Sequence, residues 1–397
     1  MRKSVLFIFT ITMLFVITVT AQKDDQAKLK PLAIDGKTFL APPKIIRNLL
    51  MNNTYISDSR KFTGIPSIAV SNEGRFWAVW YAGKTPGEDA NNYIVLSTSD
   101  DKGNTWEENL IIDPDGEGPV RAFDPEVWID PEGKLWVFWT QAFGHDGTIA
   151  GVWAITTNKS NIKNPDWSDP RRLTDGVMMC KPLVLSSGEW ILPVSTWQQT
   201  DNSAKTIMST DKGSTWYERG AVNVPKEFRN ADEHMIVEKR DKSLWMLVRT
   251  TYGIGESTSI DKGKSWSLLI PSKIKHTTSR FFIRRLSSGN LLLVKHGPIE
   301  KRIDRSNLMA FISKDDGLSW SNGLLLDERK GVSYPDGQQT KDGNIYIIYD
   351  YHRTTDQLII MTSFTEEDIL NSKNDSKDVK VFNQRKIISD GGEADKK

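Results

Sequence analysis

Six short, similar runs in this chain open on Ile65, Asp124, Lys181, Glu233, Arg280 and Tyr334. Five of those six side chains are polar or ionisable. That is odd for residues opening packed strands and natural for a ring of groups around a site. Glu233 and Tyr334 form the pair with the clearest chemistry. A phenol titrates at about pH 10 and is a poor nucleophile until a base takes its proton. A carboxylate held against it would be that base. Arg249 ends the apolar run Leu244 to Val248 that follows Glu233. A guanidinium there is suited to gripping a carboxylate through paired, charge-assisted hydrogen bonds. Arg305, within Lys301-Arg302-Ile303-Asp304-Arg305, is a second such group, with Arg302 as its substitute. Asp124, Lys181 and Arg280 complete the set of candidate substrate contacts. A second reading of Asp124 and Lys181 is that they are charges that pair around a water-filled channel.

Positioning these groups requires elements that repeat. The stretch from Asp232 to Trp266 reads as two short strands around the polar turn Arg240-Asp241-Lys242, closed by Ser259-Ile260-Asp261-Lys262-Gly263-Lys264-Ser265-Trp266. The closing octet fits Ser-x-Asp-x-Gly-x-Ser/Thr-Trp and recurs at Ser99 to Trp106, Ser209 to Trp216 and Ser313 to Trp320. Asp can accept backbone N–H bonds and fix a turn, Gly supplies a positive φ, and Trp pins the turn to the sheet. The six runs carry Gly74, Gly133, Gly188, Lys242, Gly289 and Gly343 at their turns. A period of about fifty residues built from short β runs implies a radial array of four-stranded blades. The expected fold is therefore all-β, a six-bladed β-propeller. Degenerate closing segments are expected at Thr156 to Trp167 and Thr362 to Leu370.

These patterns resemble the sialidase (neuraminidase) superfamily over roughly residues 60 to 365, the octets corresponding to its Asp-boxes. Asp-boxes occur in several propeller families and do not specify an activity. Three matches are more specific. Glu233, followed by Val237-Glu238 and Arg249, is similar to the family's fourth-blade glutamate and second carboxylate-binding arginine. Arg305 in Arg305-Ser306-Asn307-Leu308 resembles the third arginine. Ser333-Tyr334 before the strand Ile345 to Tyr349 resembles the segment that carries a tyrosine nucleophile. The resemblance implies an exo-glycosidase that removes terminal sialic acid, or a related sugar acid, from a glycan. Most retaining glycosidases use a carboxylate as nucleophile; a sugar that bears its own carboxylate on the anomeric carbon would repel one, and tyrosine avoids the repulsion. The general acid of the family is an Asp on a flexible segment ahead of the first Asp-box. Gly83 to Asn92 corresponds to it and offers Glu88 and Asp89; Asp89 is preferred by residue type, while spacing to Ser99 leaves Glu88 open.

One position departs from the pattern. The family opens its first blade with Arg-Ile-Pro, and this chain has Thr63-Gly64-Ile65-Pro66. Arg280, Arg121, Arg60 and Lys61 are the expected replacements for the missing arginine. A different sugar acid, a neutral sugar, or a lyase on the same scaffold are the alternatives that this loss raises. A non-catalytic glycan-binding propeller is a further one, disfavoured by a base beside a tyrosine.

The chain has 397 residues, 38% hydrophobic and 26% charged, with net charge +1. That allows a large core and gives no basic excess for nucleic acid. Met1-Arg2-Lys3, the apolar run Val5 to Val19 and Thr20-Ala21-Gln22 read as a secretory signal cut after Ala21. The expected organisation is a signal over 1–21, a leader over 22–55 with a strand near Lys44 to Leu50, the propeller over 56–370 and a polar tail over 371–397. In the tail, Val379 to Ile388 is expected to supply a strand that closes the ring. Cys180 is the one cysteine, so no intrachain disulfide can form; an exported chain of this kind suits a bacterial periplasm or exterior. No membrane span is expected in the mature chain. The five His residues lack metal-ligand spacing, and neither metal nor other cofactor is expected. His145-Asp146 reads as a turn, most of the fourteen Trp as packing, and Trp197 or Trp153 as a surface on which a sugar could stack.

Overall fold

The computed structural model describes residues 38–47, 53–144, 147, 149–197, 199–373 and 379–391. The signal over 1–21, most of the leader, and His145-Asp146 lie outside the described residues. Among those described, no helix is long and apolar enough to cross a membrane.

Six antiparallel sheets follow one another around a central axis. Blade one is built from Phe62–Val70, Phe76–Gly83, Tyr93–Ser99 and Glu107–Asp113, and Lys44–Ile46 of the leader pairs with its outer strand. Blade two comprises Val120–Ile129, Leu135–Phe143, Ile149–Thr157 and Arg171–Asp175. In blade three the inner strand is broken into Val177–Met178 and Leu183–Val184, both paired with Trp190–Ser195. Blade four runs Arg229–Glu238, Leu244–Thr250, Gly253–Ser259 and a two-residue outer strand, Ile270–Pro271. Blade five runs Phe282–Arg285, Leu291–His296, Leu308–Ser313 and Leu324–Asp327; blade six runs Val332–Gln339, Asn344–Tyr351, Leu358–Thr365 and Lys386–Ser389. The tail supplies a strand only over its last part, because Val379–Asn383 is a short helix.

Second strands are buried on both faces, since each sheet packs between two others. Phe76–Gly83 is buried at every position, and Trp77, Trp80 and Trp139 are among the largest fully buried side chains. Apolar burial of that kind is the main stabilising term here. The four octets form the turns between third and outer strands, away from the axis. In each, Ser accepts from the Gly N–H and donates to Asp; at Ser259 these bonds are 2.9 and 2.8 Å. Asp261 then accepts from Ser265 N and Oγ at 2.9 and 2.6 Å, and Trp266 Nε1 donates to Gly263 O at 3.1 Å. Trp106 Nε1 makes the same bond to Gly103 O at 3.2 Å, so these two tryptophans clasp their turns, whereas Trp216 and Trp320 leave Nε1 unpartnered.

Among the described residues no strand is exchanged between blades to close the ring. Blade six holds blade one through one backbone bond, Thr63 N to Arg353 O at 2.9 Å, and through side chains: Asp336 accepts from Ile68 N at 3.0 Å, and Gln338 both accepts from Val70 N at 3.0 Å and donates to Val70 O at 2.9 Å. The Gln338 amide thus pairs with the neighbouring strand as a peptide group would.

Candidate active site

The inner strands carry a repeated irregularity at their mouth-side ends. Strand register shifts between Gly64 and Ser67, Phe123 and Glu126, Arg229 and His234, and Ser333 and Asp336. At these bulges Ile65, Asp124, Asp232 and Tyr334 hold positive φ angles of 57°, 48°, 44° and 53°. A non-glycine residue with such a φ stores strain, which bulges beside active sites characteristically do. Proline follows Ile65, Asp124 and Tyr334; lacking an N–H, it fits the unpaired position of the bulge. The bulges turn Ile65, Asp124, Glu233 and Tyr334 into one cavity of about 310 Å³, also lined by Glu88, Met179, Trp197, Ala231, Arg249, Arg305 and Arg353.

Tyr334 donates its hydroxyl proton to Glu233 Oε1 over 2.8 Å. Arg249 Nη1 donates both to that same Oε1 and, at 2.8 Å, to the phenolic oxygen. The three groups close a triangle in which the proton acceptor, the phenol and a fixed positive charge touch. Glu233 is 3%, Arg249 7% and Tyr334 5% exposed, so water screens this triangle little. Burial pushes the Tyr334 phenol up to about 12, with Arg249 opposing the rise and Glu233 adding to it. The resting phenol is therefore protonated.

Two more guanidinium groups flank the same ring. Arg353 Cζ stands 4.2 Å from the Tyr334 ring centroid and Arg305 Cζ 5.5 Å. Arg353 is held by Asp350 Oδ2 at 2.8 Å and Ser333 Oγ at 2.8 Å. Arg305 donates to Thr278 O at 3.2 Å, whereas Arg302 is exposed, reaches Thr251 O at 3.1 Å and does not line the cavity.

Arg353 corrects the expectation for the missing first-blade arginine. Its stem crosses Gly64, where a Cβ would lie 2.6 Å from Arg353 Cδ. None of the four expected replacements lines the cavity. Arg60 pairs with Glu108 at 2.6 Å, Arg121 stacks 3.7 Å from the Phe123 ring centroid, and Lys61 is exposed. Arg280 lies beneath Tyr334, donating to Met179 O at 2.5 Å and pairing with Glu126 at 3.2 Å. Lys181 is also displaced from the cavity: its Nζ pairs with Asp336 at 2.7 Å and donates to Val127 O at 2.7 Å. Both cations belong to a buried cluster in the channel rather than to the candidate substrate surface.

The flap carboxylates separate as well. Asp89 accepts from Thr85 Oγ1 and from Asn91 N, so it caps its own turn. Glu88 faces the cavity, 3.5 Å from Arg353 and 3.7 Å from Arg121. Asp124 is buried, with Oδ1 unpartnered; burial, with Glu88 next, holds its carboxyl well above the usual carboxylate range. Trp197 lines the cavity with a positive φ of 48° and an unpartnered Nε1, while Trp153 is packed in the core.

A groove of about 860 Å³ lies elsewhere, between the outer strands of blades four and five. Two of its acidic groups are engaged by the walls, Glu256 by Trp245 Nε1 at 3.0 Å and Asp316 by Arg285 at 2.8 Å, and the third, Glu300, is exposed. The smaller cavity is where base, phenol and cations meet.

The BNR repeat-like domain family matches residues 74–347. This chain belongs to that family. Its six-bladed fold is of the sialidase type: a Hadza microbial sialidase superposes with a TM-score of 0.64 at 18% identity, covering 78% of this chain and 66% of its own. The NanB sialidase of Streptococcus pneumoniae superposes at 0.63 and 15%, covering 83% and 71%. The intramolecular trans-sialidase of Ruminococcus gnavus superposes at 0.63 and 14%, covering 81% and 98%. This BNR-family chain thus spans about two thirds of the first of these proteins. No curated protein sequence matches it.

Proposed function

We propose that this chain is an exo-glycosidase of sialidase type that hydrolyses a terminal sugar acid from a glycan. The observation that carries the reading is the contact of Tyr334 with Glu233 and Arg249 inside a cavity flanked by Arg305 and Arg353. The sugar carboxylate is gripped by the three guanidinium groups, which places the anomeric carbon against the phenol. Glu233 takes the phenol proton as the Tyr334 oxygen attacks that carbon. The bond to the leaving oxygen breaks, and Glu88 protonates it. Water, deprotonated by Glu88, then attacks the glycosyl-tyrosine, and the phenol recovers its proton from Glu233. Asp124, kept protonated by burial, donates to a sugar hydroxyl, and Trp197 supplies an apolar face. The fold shared with sialidases supports the reading. Export through the segment 1–21 is part of the proposal.

A second reading is a hydrolase or lyase for another sugar acid. It is favoured by the origin of the third cation, which reaches the cavity from position 353 rather than 64 and so meets the carboxylate along another direction. The test is fluorescence release from 4-methylumbelliferyl glycosides of sialic acid, uronic acids and neutral sugars. Preference for the α-sialoside supports the first reading. Preference for a uronide supports the second. Turnover of neutral sugars alone contradicts both.

A further inference from the structure

The central channel has a second mouth. The inner strands begin at the catalytic cavity, and their last residues, Ile129, Arg285 and Gln339, line a separate cavity of about 330 Å³ at the other end. Trp128 and Phe282 give it apolar walls, and Lys181, Arg284, Arg285 and Lys341 give it four cations; no Asp or Glu lines it. Two of those charges are answered within the protein. Lys181 pairs with Asp336 at 2.7 Å, and Arg285 with Asp316 at 2.8 Å. The remaining two are not. Arg284 spends one donor on Pro182 O at 2.6 Å, and among the described residues neither Arg284 nor Lys341 has an ion pair with a carboxylate.

The buried cluster beneath adds to the imbalance. Lys181 and Arg280 share Glu126 and Asp336, two cations against two carboxylates. Arg284 has no close ion pair of its own and shares the field of the same Asp336 and Glu126, which makes three cations against two carboxylates. Burial, with Asp336 next, pushes the Glu126 carboxyl up, which weakens its compensating charge. Burial also holds the Arg284 guanidinium below its ordinary range, with Asp336 and Glu126 opposing the fall, because a charge in a concave, aromatic-walled site loses hydration. A guanidinium with free donors at the floor and an ammonium at the rim fit a group with two or more anionic oxygens.

We propose that the far mouth of the channel binds a small oxyanion, with Arg284 and Lys341 as its recognising cations. This site is separate from the catalytic cavity and does not depend on the proposed reaction.

The test is equilibrium dialysis of labelled inorganic phosphate against the full chain, with chloride holding ionic strength constant. Arg284→Met is expected to weaken binding at least tenfold and Lys341→Met less, while Arg305→Met at the catalytic mouth leaves this binding in place. Should Arg284→Met fail to fold, Lys341→Glu on the exposed rim reverses the charge and is expected to abolish binding. Displacement of phosphate by sulfate alone assigns an inorganic oxyanion, and equal displacement by acetate assigns a carboxylate. Absence of binding by the wild type, or binding that is lost in Arg305→Met and retained in Arg284→Met, overturns the proposal.

Discussion

The stem of Arg353 occupies the space that any side chain on Gly64 would need, with Cδ 2.6 Å from the position of a Cβ there. The two residues stand on opposite sides of the seam between blades six and one, where Arg353 O accepts from Thr63 N at 2.9 Å. Absence of a side chain at 64 and presence of the guanidinium beside Tyr334 are therefore one feature.

That coupling has a direct consequence. Arg353→Met should lower kcat/KM for an acidic substrate about 10- to 100-fold, the range for one lost charge-assisted contact. Gly64→Val, which adds no contact to substrate, should lower it comparably by displacing Arg353. Steady-state kinetics on both variants check this; an unchanged Gly64→Val would separate the two residues.

Asp124 sets a pH dependence of stability. Its folded carboxyl titrates well above the unfolded value of about 4. Between the two values the folded state holds a proton that the unfolded state has lost. Stability from this group is full below the unfolded value and is lost as pH rises through the folded one. Asp124→Asn should flatten that decline in urea unfolding measured from acid to alkaline pH. Parallel curves for wild type and variant would contradict the assignment.

The blade seam can be weakened alone. Gln338→Ala removes both bonds to Val70 and should cost roughly 1–3 kcal/mol. Urea midpoints measure it, and a change below a few tenths would show that the seam rests on other contacts.

The Asp-boxes are expected to act on folding rather than chemistry. Asp261→Asn weakens the acceptor of Ser265 N and Oγ and should lower the thermal midpoint while leaving kcat unchanged. Loss of kcat at an unchanged midpoint would relocate the box to the site.

Much of this was legible in the sequence because it rests on short repeats. Four octets and six runs of similar length imply blades, and the first residues of those runs include Asp124, Glu233 and Tyr334 at the cavity. The same alignment misleads at Lys181 and Arg280, for a local reason. Blade three breaks its inner strand around Lys181, and Arg280 precedes the strand Phe282–Arg285. No register shift with a positive φ at or just before the residue, as found at Ile65, Asp124, Asp232 and Tyr334, occurs at Lys181 or Arg280, and both side chains join the buried cluster. Arg353 was illegible because it sits in a loop of the last blade and acts on the first. The one local sign is Asp350, three residues earlier, which ends buried on Arg353 and on Ile65 N at 2.8 Å. Glu88 and Asp89 are neighbours in sequence, and only the turn made by Thr85 and Asn91 separates their roles.

The central claim is that Tyr334 is the nucleophile activated by Glu233. Turnover of the best glycoside by Tyr334→Phe tests it most directly, with the thermal midpoint measured in parallel. The ring and its packing are kept, so the midpoint should move little, and kcat should fall by about three orders of magnitude or more. Near-wild-type turnover by Tyr334→Phe would contradict the account and leave Glu233 and Glu88 as the working pair of a carboxylate mechanism.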